Sequence, residues 1–164
     1  MHDAGSRSRE PDTQRKLSTE VVDAALILGF VVPATCASGR SRRRRVILIV
    51  DDNDDAREMY AAYFYHLDFD VATAPDGAEA LRLAAELKPD VVVMDLTMPV
   101  MDGWTATRRL KAHEELRVIP VVAVSGHATG PAAAQSVSEA GFDRFVLKPC
   151  LPEDLADVVR ELLA

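Results

Sequence analysis

Five polar residues stand where this chain could do chemistry. Asp51 and Asp52 follow the apolar run VILIV (46–50), and Asp95 follows VVVM (91–94). Ser125 follows IPVVAV (119–124), and Lys148 follows FVL (145–147). If these runs are strands of one parallel sheet, all five residues project from the same edge. Three carboxylates crowded together repel one another unless a cation intervenes. An all-oxygen anionic pocket suits a hard divalent ion, most simply Mg2+ (or Mn2+), which keeps some of its waters and shares its coordination with phosphate. A lysine and a hydroxyl opposite could contact the remaining oxygens of a phosphoryl group. A nucleophilic carboxylate, a metal, a cation and a hydrogen-bond donor are the parts that phosphoryl transfer needs, because that chemistry is mostly positioning and charge neutralisation. Taken singly, each residue is more often a helix cap, a turn residue or a loop hydroxyl. The specific signal is their joint occurrence at run ends.

The elements that must position them are readable from periodicity. With DVATA (70–74), the apolar runs make five short buried strands. Between them lie segments of helical period. Ala56, Met59, Tyr60, Tyr63, Phe64 and Leu67 form one apolar stripe, and Leu155, Val158, Val159 and Leu162 form another. Asn53 can cap the first helix, Asp76 with Glu79 makes a capping box after Pro75, and Pro152 suits a first helical position. Strands alternating with helices predict an α/β sandwich on a parallel sheet. In such open sheets functional groups gather at the carboxyl ends of the strands.

At these residues the sequence resembles the receiver domain of two-component response regulators, over essentially all of 46–164. The resemblance is carried by VILIVDDN (46–53), MDLTMPVMDG (94–103), VSGH (124–127) and AGFDRFVLKP (140–149), and by the thirty-residue step from Asp95 to Ser125. It implies a doubly wound sheet of strand order 2-1-3-4-5 with helices on both faces, a flavodoxin-like sandwich. It also implies that Asp95 is the phosphoacceptor. Asp52 and Asp95 would bind Mg2+ by carboxylate, Asp51 mainly through a water, and Thr97 through its backbone carbonyl. Lys148 would pair with the phosphoryl oxygens and Ser125 would hydrogen-bond them. Phe145 holds the position of the switch aromatic, and the Lys148-Pro149 bond is expected to be cis. Ser125 replaces the commoner threonine, Phe145 lacks the phenol often found there, and Thr97 and His127 flank the phosphate mouth.

Composition sets the remaining bounds. Residues 1–45 hold 9 Lys/Arg against 5 Asp/Glu, whereas 46–164 hold 10 against 21, a balance of −11. That argues against direct nucleic-acid binding by the folded part. Cys36 and Cys150 lack metal-ligand spacing, and this pattern fits a cytoplasmic protein. The apolar stretch Val21 to Ala34 is about half a membrane span and contains Asp23, so no span is expected. Residues 1–45, ending in an Arg-rich run, read as a poorly structured extension. A flavodoxin-like electron carrier would want a Ser/Thr/Gly-rich first turn, and here that turn is Asp51-Asp52-Asn53-Asp54-Asp55. An aspartyl phosphatase usually has a second aspartate two residues after the first, where Thr97 stands. The final helix reaches the last residues with no output domain after it, so the chain reads as a stand-alone regulator of the chemotaxis type. It would be a signalling module rather than an enzyme, catalysing only its own phosphorylation and dephosphorylation. Its expected partners are a sensor histidine kinase or histidine phosphotransfer protein upstream and an unknown protein target downstream. The expected docking face is the fourth helix, fifth strand and fifth helix.

Overall fold

The structure is a computed structural model that describes residues 43–126 and 131–164, with side chains omitted for 131–135. The extension to residue 42 and His127 lie outside the described residues. In chain order the elements are β1 (Val46–Val50), α1 (Asp54–His66), β2 (Asp70–Ala74), α2 (Gly77–Leu87), β3 (Val91–Asp95), α3 (Gly103–Ala112), β4 (Val121–Ser125), α4 (Pro131–Ala140), β5 (Arg144–Leu147) and α5 (Pro152–Leu163). The strands form one sheet in the order β2-β1-β3-β4-β5, every pair parallel. Fold class and strand order are as the sequence and its resemblance implied.

The central strands β1, β3 and β4 are buried on both faces, which is why they read as continuous apolar runs rather than alternating ones, whereas the edge strand β5, expected to be buried, is only half-covered and leaves Leu147 exposed. Leu48, Val50, Val92, Met94, Val121 and Ala123 face a core completed by α2, α3 and α4 through Leu83, Ala84, Ala106, Leu110 and Val137. Ile47, Ile49, Val91, Val93, Val122 and Val124 face the other core, completed by Tyr60 and Phe64 of α1 and Leu155, Ala156 and Val159 of α5. Phe64 is fully buried and meets Phe69 edge to face at 5.6 Å. Removing such a ring to alanine costs about 3–5 kcal/mol.

Local chemistry explains the element ends. The Asn53 side chain accepts from the Ala56 N–H, and Asp76 accepts from Ala78 and Glu79. Glu79 was expected to complete a reciprocal box with Asp76, but its carboxylate is taken by Arg82 at 2.6 and 2.9 Å. Some strand limits also differ from the apolar runs. β4 begins at Val121 rather than Ile119, because Pro120 has no N–H to give a central strand. At the other end, Asp95 and Ser125 are the last residues of β3 and β4 rather than the first beyond them. Among the described residues no helix is long and apolar enough to cross a membrane.

Candidate functional site

The sheet order brings the carboxyl ends of β1 and β3 side by side, and β4 and β5 follow. Asp51 sits one residue past β1, where its N–H still donates to the Ala74 carbonyl at 3.2 Å. Its carboxylate is held at both oxygens. Oδ1 accepts from the Asn53 N–H at 2.9 Å, and Oδ2 accepts from Lys148 Nζ at 2.6 Å. Asp95 is held in the same way, with Oδ1 accepting from the Thr97 N–H at 3.0 Å and Oδ2 from Lys148 Nζ at 2.5 Å. Asp51, Asp95 and Ser125 are 3, 7 and 2% exposed, whereas Asp52 is exposed to solvent. One carboxylate oxygen from each of Asp51, Asp52 and Asp95 lies within 4.8 Å of the others.

Two of the three carboxylates, Asp51 and Asp95, share one ammonium, and that ammonium is itself largely withdrawn from water, its side chain 28% exposed. Burial alone would lower the Lys148 pKa. The hydrogen bonds and charges of Asp51 and Asp95 outweigh burial and hold it above the ordinary lysine value. A deficit of positive charge among oxygen donors is the environment a hard divalent cation fits, so the residues present suit Mg2+. Ser125 joins the site through its strand, and its carbonyl accepts the Lys148 N–H at 2.9 Å. Phe145 lies level with Ala123 in the β4–β5 register and is half-buried against the core under α2, α3 and α4. The Lys148-Pro149 peptide is cis. Thr97 is exposed two residues past Asp95.

The loop from Leu96 to Asp102 that frames Asp95 is shaped by close approach. A Cβ on Gly103 would stand 2.0 Å from the Asp95 carbonyl oxygen, so only glycine lets α3 begin against the end of β3. Within the loop, Val100 adopts φ +66°, uncommon for a β-branched residue, and the Met101 N–H closes a tight turn onto the Pro99 carbonyl at 2.7 Å.

Two contributors escaped sequence reasoning. Tyr60 was assigned only to the apolar stripe of α1. Its hydroxyl donates to the Cys150 carbonyl at 3.0 Å and ties α1 to the loop that carries Lys148, and burial pushes its phenol pKa up. Arg57 donates to the Asp51 carbonyl at 2.6 Å and to the Asp54 carboxylate. A clue was available for Arg57. A cation in the first turn of a helix opposes the helix dipole and so needs a local partner.

Comparison with known proteins bears on the family and the fold. The family described as response regulator receiver domain matches residues 47–160. The transcriptional regulatory protein PrrA of Mycobacterium tuberculosis is 40% identical over 95 residues, 58% of this chain and 40% of PrrA. The chain thus spans well under half the length of that relative. Among solved structures, the chemotaxis protein CheY4 of Vibrio cholerae superposes with a TM-score of 0.69 at 28% identity, covering 73% of this chain and 99% of CheY4. The receiver domain of sensor histidine kinase PA1611 from Pseudomonas aeruginosa, solved with magnesium coordinated in its active-site cleft, superposes at 0.67 with 28% identity, covering 73% and 98%. With the fold, the strand order and the family match in agreement, the chain belongs to the response regulator receiver domain family.

Proposed function

We propose that residues 46–164 accept a phosphoryl group on Asp95 in a Mg2+-dependent reaction, as the receiving module of a two-component phosphorelay, with residues 1–45 an extension outside the chemistry. The observation that carries this is the convergence of Asp51, Asp52 and Asp95 within 4.8 Å, with Lys148 bridging two of them. Asp51, Asp52, Asp95 and the Thr97 carbonyl would hold the ion, Asp51 mainly through a water. When bound, the ion offsets the charge of the carboxylates and of the incoming phosphoryl oxygens.

The chain's own residues do the rest. The Lys148 ammonium and the Thr97 N–H each hold one oxygen of Asp95, which fixes the plane of the attacking carboxylate. An Asp95 oxygen bonds to phosphorus as the P–N bond of a phosphohistidine breaks, and the bond pair stays on the imidazole nitrogen. Lys148 then pairs with the transferred oxygens and the Ser125 hydroxyl donates to one of them. Movement of Ser125 towards the phosphate frees space that Phe145 fills, which alters the face made by α4, β5 and α5. This is a population shift that phosphate biases through its differential contacts. The upstream partner is a sensor histidine kinase or histidine phosphotransfer protein, and the altered face serves a downstream protein.

The test is transfer itself. The full chain, incubated with a phosphohistidine-bearing protein and Mg2+, should acquire a base-labile acyl phosphate, and chelation of the metal should abolish it. Failure to label with protein donors and with phosphoramidate alike would reject the assignment. For the output, Ser125→Ala should accept phosphate while residues 131–163 no longer change their hydrogen exchange with beryllofluoride.

A further inference from the structure

Asp51 and Asp52 are adjacent in the chain, and adjacent residues of extended backbone point to opposite faces of a sheet. Ile49 and Val50 obey that rule, packing into the two different cores. For Asp51 and Asp52 to meet at one ion, the chain must leave extended geometry at the peptide between them, and β1 does end at Val50. The Asp51 carboxylate is fixed by the Asn53 N–H and Lys148. Asp52 is exposed, so its direction depends on the peptide that joins it to Asp51. The carbonyl of that peptide is the one that Arg57 holds at 2.6 Å, while the other branch of the same guanidinium is held by Asp54. The side chain is only 16% exposed, well withdrawn for an arginine.

We propose that Arg57 is a positioning residue for the divalent-ion site, setting the Asp51–Asp52 peptide so that both carboxylates face one ion. The inference rests on the reading of Asp51, Asp52 and Asp95 as a metal site. It has a sign that separates it from a plain charge effect. A cation near the site repels Mg2+, so if Arg57 acted by charge its removal would tighten metal binding. If it acts by holding the peptide, its removal loosens binding. Residues that orient a metal's ligands are typically worth about 10–100-fold in affinity.

Mg2+ titration calorimetry on the full chain tests this. Arg57→Gln should bind Mg2+ at least about tenfold more weakly. The Mg2+ concentration giving half-maximal phosphorylation by phosphoramidate should rise by the same factor, while the rate at saturating Mg2+ stays near the parent's. A role only in stability would not produce that split. Arg57→Lys keeps the charge but lacks the planar fork that reaches a carbonyl and a carboxylate together, so it should also be weakened. Tighter or unchanged binding in Arg57→Gln overturns the proposal, and so does full recovery in Arg57→Lys. Should Arg57→Gln fail to fold, as judged by its melt in chelator, Asp54→Ala carries the test. Releasing that branch should weaken Mg2+ binding by a smaller factor, and unchanged affinity in both Asp54→Ala and Arg57→Lys overturns the proposal. A parent chain that takes up no Mg2+ rejects the metal-site reading itself, a result distinct from normal uptake with an indifferent Arg57.

Discussion

The two edges of the sheet both carry aspartates, and they use them in opposite ways. At the amino edge, Asp90 accepts the Val46 N–H at 2.7 Å, and Asp143 accepts the Val121 N–H at 2.8 Å and Lys111 at 2.9 Å. Each of these carboxylates meets the N–H that opens a strand, so the charge completes the backbone's own hydrogen bonding. At the carboxyl edge, Asp51, Asp52 and Asp95 crowd together with one lysine paired to two of them, which leaves negative charge in excess. An aspartate at a strand start is explained by the fold alone. Three at neighbouring strand ends make no such backbone repair among themselves and suit the divalent-ion site proposed above.

Perturbations of the two edges should therefore differ in kind. The largest effect is expected from Gly103→Ala, which forces a methyl into the Asp95 carbonyl and pushes α3 off the end of β3. A loss of about 3 kcal/mol is expected in denaturant unfolding, with Mg2+ response lost as well. A variant with parental stability would mean that the approach is looser than 2.0 Å implies.

Mg2+ comes next. Added at about 100 times its Kd, it should raise the parent's stability by about 2.7 kcal/mol, because it binds only the assembled cluster. Asp52→Ala should cancel that gain while leaving the metal-free melt equal to or above the parent's, since one of three repelling charges is gone. Equal Mg2+ responses in parent and variant would break the comparison.

At the amino edge, Asp143→Ala should cost about 1–2 kcal/mol, because the Val121 N–H loses its acceptor. Thermal melts should show the same cost with and without Mg2+. A cost that depends on Mg2+ would mean the edges are coupled. Smallest is Tyr60→Phe, which removes only the bond to the Cys150 carbonyl and should cost about 1 kcal/mol with Mg2+ affinity unchanged by calorimetry.

What was legible in the sequence follows the same division. The strands could be read because both faces are buried and runs such as VVVM have no polar interruption. That Asp51, Asp52, Asp95 and Lys148 come together could be read because a charge ending an apolar run has few other places to go. Strand ends place Lys148 at the same edge as Asp51, but not its direct pairing with that carboxylate across 97 residues, and Gly103 meets the Asp95 carbonyl through a loop whose path no local propensity specifies. Tyr60 counted as an apolar stripe residue because periodicity sees the ring and not where its hydroxyl points. Glu79 failed to close its capping box because Arg82, three residues on, offers a charged partner in place of a backbone N–H.

On the proposed function, the excess negative charge at the carboxyl edge serves one acceptor carboxylate, Asp95. The most direct measurement is phosphoryl incorporation from a phosphohistidine donor with Mg2+ into the parent and Asp95→Asn, with the labelled residue mapped by mass spectrometry. Asp95 should carry the acyl phosphate in the parent, and Asp95→Asn should be unlabelled apart from traces on Asp51 or Asp52. Full labelling of Asp95→Asn, or a parent phosphate mapped to another residue, would contradict it.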